Sequence, residues 1–164
     1  MPATTCLPDA NVRSPTYYIA RTNMRCPHCG SATLLLGLAV PPGHETLQVD
    51  ADEPSTRQRE NANALLFYVE SLSREVQDRL QALSRFYRLG FDAGANSAYW
   101  ANHCEHCGAL LGDHELYCEP EGAFLPSSAT AATHVQFTQI REPFSAAAVG
   151  YACDPEFLVF TGGA

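Results

Sequence analysis

Lysine is missing from this chain, and all ten basic residues among its 164 are arginine. Against 18 acids they leave a formal charge of −8. Without a basic stripe, the electrostatic contribution that dominates affinity for phosphate backbones has no source, so direct nucleic-acid binding is not expected. Long apolar runs are also absent, and none approaches the roughly 18 residues of a membrane span. The first residues, Met1 to Cys6, carry neither the basic nor the apolar region of a secretion signal, which makes the cytoplasm the expected compartment. Catalytic signatures are scarce. No glycine-rich phosphate loop and no Gly-x-Ser-x-Gly elbow occurs, and His44-Glu45 and His114-Glu115 lack the second histidine of a metalloprotease helix. His103-Cys104-Glu105 has the His-x-Glu of zinc deaminases but no Pro-Cys-x-x-Cys follows it.

What the chain does have is an apolar share of 46% with only 17% charged residues, the balance of a domain that buries a real core. Seven cysteines are present, an odd number that no complete disulfide framework would produce. Four of them form two matching turns, Cys26-Pro27-His28-Cys29-Gly30 and Cys104-Glu105-His106-Cys107-Gly108. Two residues between paired cysteines aim both sulfurs at one ion, and the following glycine relieves the backbone where the turn needs positive φ. Two such turns complete a tetrahedron, so Cys26, Cys29, Cys104 and Cys107 are the expected ligands of a structural zinc. Four thiolates leave no open position for water and would bring the loaded protein to about −10. His103, His106, His114 and Cys118 are the other nearby groups able to ligate. Each has a plainer reading, the histidines of the turns pointing outward and Cys118 a semi-buried thiol.

These turns resemble those of small uncharacterised bacterial proteins with split zinc ribbons, on Cys26 to Gly30, Cys104 to Gly108 and the flanking Arg25 and Asn102-His103. The resemblance implies metal binding and an α+β body, and it carries no activity. The turns also resemble those of rubredoxin, which makes iron the less favoured metal. Rubredoxins are much shorter and join their turns closely, whereas 74 residues separate Cys29 from Cys104 here. Stretching such a connection from about 15 residues costs only about 1.4 kcal/mol, against the order of 10 kcal/mol that structural zinc supplies in small peptides.

Residues 1–15 read as an irregular lead-in and 16–164 as one zinc-binding α+β domain. Strands are expected at Tyr17–Ala20 and Thr33–Val40 around the first turn, and at Ser97–His103 and Ala109–Gly112 around the second. Residues 43–60 read as a surface loop. Residues 62–70 fit either a strand or the start of a long helix, with the strand preferred. Leu72, Val76, Leu80, Leu83 and Tyr87 recur at helical spacing, which predicts one main helix over Arg74–Leu89 in the insertion between the turns. A short alanine-rich helix after Pro126-Ser127-Ser128, then strands at Val135–Thr138 and Phe157–Phe160, are expected in the tail. The fold class expected is therefore α+β, with zinc-ribbon-like hairpins in an antiparallel sheet.

With a closed metal site, an acidic surface and no catalytic set, the expected function is binding another macromolecule, with a protein as the expected partner. Acids among aromatics in the segment from Gly112 to Phe124 form either a solvated loop or an edge for a basic partner. Two other readings stay open. Cys26-Pro27-His28-Cys29 matches the active dithiol of DsbA-like oxidoreductases, which needs a helix beginning at the first cysteine. The hairpin around Arg21 and Arg25 could instead present a nucleic-acid-binding ribbon.

Overall fold

A computed structural model describes residues 10–50 and 52–153. Its elements in chain order are β1 (Val12–Ser14), β2 (Tyr17–Arg25), β3 (Ala32–Val40), β4 (Glu45–Asp50), β5 (Glu53–Arg59) and β6 (Ala64–Leu72). There follow α1 (Arg74–Leu83), β7 (Tyr87–Asp92), β8 (Ser97–His103) and β9 (Leu110–Leu111). A π-helical turn (His114–Cys118), α2 (Ala129–Ala132), β10 (Gln136–Ile140) and β11 (Phe144–Cys153) complete the described chain.

The strands form an 11-stranded sheet with the order β10-β2-β3-β6-β11-β1-β4-β5, from which β8, flanked by β7 and β9, branches at β6. Every pairing among the described residues is antiparallel. This corrects the α+β expectation. The body is a sheet with three short helices, and the two cysteine turns are hairpin ends within that sheet instead of a free-standing zinc ribbon.

Both faces of the sheet are covered, and β3 shows why its sequence reads as an unbroken apolar run. Leu36, Leu38 and Val40 point into one apolar layer with Leu66, Val69 and Leu72, which α1 closes through Val76 and Leu80. Leu35 and Ala39 point into a second layer with Leu65, Leu111, Leu116, Tyr117, Phe124 and Phe137. Cys26 and Cys104 belong to this second layer. Gly37 lies beneath its aromatic stack, where a Cβ would come within 2.8 Å of the Tyr117 hydroxyl and 3.2 Å of the Phe124 ring.

Several expectations shift. The helix ends at Leu83, which is 42% exposed and has no core to cover. Ser84 adopts an extended conformation, and Tyr87 to Asp92 instead find six partners in β8. That ladder outweighs one further helical turn. Residues 43–60 form the hairpin β4–β5, whose register runs from Glu45↔Arg59 to Asp50↔Glu53. Within the N-terminal lead-in, Val12–Ser14 make a strand between β11 and β4. β11 went unanticipated although it lies between β6 and β1, because Ser145-Ala146-Ala147-Ala148 has little strand propensity. Residues 62–70 resolve towards the strand, and Phe157–Phe160 lies outside the described residues.

Candidate metal centre

The first cysteine turn closes the β2–β3 hairpin, beyond the pair Arg25↔Ala32, and the second closes β8–β9 beyond His103↔Leu110. The two turns are built alike. Gly30 N–H donates to Cys26 C=O at 2.8 Å and Gly108 N–H to Cys104 C=O at 3.0 Å. Both glycines have positive φ, 77° and 74°. In each turn the residue two past the first cysteine donates its backbone N–H to that cysteine's sulfur, His28 to Cys26 at 3.3 Å and His106 to Cys104 at 3.4 Å. Such donors stabilise a thiolate and leave its remaining lone pairs for a cation.

The turns face each other. Cys26 Sγ lies 3.7 Å from Cys107 Sγ, and Cys29 Sγ 3.6 Å from Cys104 Sγ. All four sulfurs fall within 4.8 Å of one another. Four sulfurs about 2.3 Å from a central ion define a tetrahedron with edges of about 3.8 Å, so the spacing suits a single metal ion and is too long for a disulfide at about 2.05 Å. Cys26 and Cys104 are buried and Cys29 and Cys107 exposed, so the cluster has an inner half and an outer half. The backbone N–H of Cys107 leads in pulling the Cys104 thiol down to about 6, aided by that of His106 and opposed by desolvation.

What brings turns 74 residues apart into register is a ladder of side chains that sequence reasoning did not find. β3 pairs with β6 only through Leu38, Ala39 and Val40, which leaves its first half without a strand on that side. Side chains of the second arm fill the edge. The Asn102 amide accepts from Leu36 N–H at 2.8 Å and donates to Leu36 C=O at 2.9 Å. Glu105 Oε1 accepts from Leu34 N–H at 2.6 Å, and the Glu105 N–H donates to Thr33 Oγ1 at 3.0 Å. His106 Nε2 contacts Ala32 C=O at 3.1 Å. Residues 36, 34 and 32 are thus served in turn by 102, 105 and 106. The signal available in sequence was the polar trio around Cys104, but nothing local names its acceptor strand.

The alternative ligands lie elsewhere. His103 is buried, with Nδ1 against the carbonyls of Ala101 and Phe86 at 3.0 and 3.1 Å, and burial followed by the Arg88 charge lowers its pKa. His114 lies 3.7 Å from Glu119 Oε1 on the surface. Cys118, expected to be semi-buried, is exposed and outside the cluster. The chain leaves Cys29 into β3 and not into a helix, so the activation that a DsbA-like dithiol takes from a helix N-terminus has no counterpart.

Beside the site lies a second polar group. Asp113, 3% exposed, accepts from Tyr68 N–H at 2.8 Å, and Tyr68 holds the left-handed φ of 52°. Tyr99 accepts from Asp113 N–H at 2.9 Å and donates to Asp92 Oδ2 at 2.6 Å. Desolvation, helped by the nearby charges of Asp92 and Glu115, pushes the Asp113 carboxyl up to about 7 against the Tyr68 hydrogen bond.

Comparison with protein-family models, with curated proteins and with solved structures finds no match. Resemblance to known metal proteins therefore rests on the four-cysteine cluster itself. No helix among the described residues is long and apolar enough to cross a membrane.

Proposed function

We propose that Cys26, Cys29, Cys104 and Cys107 bind one structural zinc ion, and that the protein is a cytoplasmic binding module for another protein. The sulfur–sulfur separations of 3.6 and 3.7 Å carry the metal reading, being close to the edges of a four-thiolate tetrahedron. Zinc is favoured over iron because the turns sit on the rim of a large sheet and serve to join its arms. The closed sulfur shell gives a bound ion no vacant position for water and hence a structural role.

A protein partner is favoured by β7. Among the described residues it pairs only with β8, and its Leu89 and Phe91 are 54% and 62% exposed. Arg88, also exposed, precedes Leu89 in the strand. An edge strand with adjacent apolar side chains and a cation suits addition of an extended acidic segment of a partner protein.

Elemental analysis of the purified protein tests the metal, with one zinc per chain expected. A zinc-free protein with a reversible Cys26–Cys29 disulfide would replace this reading by dithiol redox chemistry, and retention on heparin at moderate salt would favour the nucleic-acid ribbon. The partner surface is tested by crosslinking from benzophenone placed at Phe91. A product formed with an extended segment, and lost in Leu89→Asp with zinc content unchanged, is the expected result.

A further inference from the structure

A cavity of about 310 Å3 lies at the open end of the β4–β5 hairpin, lined by His44, Thr46 and Glu60 together with Ala64 of β6 and Tyr151 of β11. One step beyond the pair Glu45↔Arg59, Glu60 N–H donates to His44 C=O at 2.8 Å, so these two residues stand opposite each other. Thr46, two residues on from His44, shares their face, and its hydroxyl donates to Glu60 Oε1 at 2.7 Å. This is the face of the first apolar layer. Thr46 stands beside Val12 and Tyr151 beside Leu66, and Val12, Leu66 and Ala64 all belong to that layer.

Two observations point to a ligand. His44 is only 2% exposed, and its Nδ1 donates to Pro41 C=O at 2.7 Å, which leaves Nε2 with the acceptor lone pair. Nε2 has no hydrogen-bond partner among the described residues, yet it is not one of the polar atoms sealed inside the protein, so it opens on the cavity that the ring lines. Native proteins rarely leave so buried a ring with an unmatched acceptor. The second observation is charge. Glu60 is half-buried, and among the described residues no cation pairs with it. Strand alternation turns Arg57 and Arg59 to the other face, where Arg57 donates to Ala10 C=O at 3.2 Å, and the chain has no lysine.

The donor set narrows the choice. Cys153 also lines the cavity, but among the described residues the four turn cysteines are the group of ligating side chains close enough to share one ion. His44, Glu60 and Cys153 are too dispersed for that, so the space suits a molecule. The His44 Nε2 and the Glu60 carboxylate both accept, which requires a ligand that donates, and the carboxylate favours a cation. An ammonium group brings three N–H donors and no acceptor. Ala64 and the Tyr151 ring offer apolar surface beside it, and the face of a tyrosine ring itself attracts a cation. We propose that this cavity binds a primary alkylammonium ion. Its N–H groups donate to His44 Nε2 and to the Glu60 carboxylate, and its alkyl chain lies along Ala64 and Tyr151.

NMR titration of the metal-loaded full chain near pH about 7.5, where an alkylamine is protonated, tests this with n-butylammonium, tetramethylammonium and 1-butanol at constant ionic strength. n-Butylammonium is expected to shift the His44 ring resonances and to bind at least about tenfold more tightly than either of the others, as one charged hydrogen bond would give. Glu60→Gln, which can still accept from Thr46, is expected to weaken it at least about tenfold. His44→Asn, which can still donate to Pro41 C=O but has no Nε2, is expected to do the same and gives a second test should Glu60→Gln fail to fold. Nα-acetyl-lysine N-methylamide separates the two sources of such a group: comparable binding supports a lysine side chain of another protein as the ligand, and its exclusion supports a free amine. Absence of n-butylammonium binding, equal binding of tetramethylammonium, or unchanged affinity in either folded variant overturns the proposal.

Discussion

The side-chain amide of Asn102 grips both backbone polar groups of Leu36, taking its N–H at 2.8 Å and supplying its C=O at 2.9 Å. Asn102 precedes Cys104 by two residues and Leu36 follows the first turn, so one amide links the two cysteine arms independently of any ion. Asn102→Ala leaves two buried groups without partners, at about 1–3 kcal/mol each. Urea denaturation is expected to show a loss of about 2–4 kcal/mol. An equal loss in protein stripped by chelation would separate this link from the metal.

Cys104→Ser removes an inner sulfur and breaks a shell shared by distant parts of the chain. Zinc is expected to fall well below one per chain, with a loss of more than about 3 kcal/mol, or roughly 10 °C in Tm for a chain of this size. Cys118→Ser, outside the cluster, is expected to leave zinc content and Tm unchanged. Full zinc and an unaltered Tm in Cys104→Ser would overturn the ligand assignment.

Asp113 makes stability fall as pH rises. Its carboxyl is pushed up to about 7 when folded, against about 4 for an exposed aspartate, so over that interval the folded chain holds a proton that the unfolded chain has released. Its contribution is fully present below pH 4 and is lost progressively towards pH 7, at up to about 1.4 kcal/mol per pH unit. Asp113→Asn can still accept from Tyr68 N–H and carries no charge. Comparison of the two proteins by denaturation at several pH values is expected to show the variant gaining on wild type from pH 4 to 7, with a constant difference above.

Gly37→Ala places a methyl group against the Tyr117 hydroxyl and the Phe124 ring at 2.8 and 3.2 Å. Two stacked rings cannot both give way without disturbing the second apolar layer, and a loss of about 1–3 kcal/mol is expected in thermal or chemical unfolding.

What the sequence disclosed was local. The cysteine turns announce themselves through two-residue spacing and a following glycine, and β2, β3 and β8 through strand-favouring side chains beside them. Leu83 and Tyr87 keep helical spacing, yet the contest there was decided by the distant segment Ser97–His103, which no local window contains. In the β4–β5 hairpin only Leu47 and Val49 of β4 alternate with polar residues, while β5 is polar apart from Pro54, so the period had too few apolar members to reveal it. β11 was hidden by alanines that become strand only because β6 and β1 take them from both sides. The contacts of Asn102, Glu105 and His106 were illegible for a related reason, since they depend on half of β3 lacking a neighbouring strand.

The division of the cysteine cluster into a buried pair and an exposed pair sets an order for removing a bound ion. A chelator approaching from solvent meets Cys29 and Cys107 first, while Cys26 and Cys104 are shielded by the apolar layer to which they belong. Extraction of such an ion would then pass through a half-released species held by Cys26 and Cys104, one sulfur from each arm, and the arms would part company only when that last grip was lost.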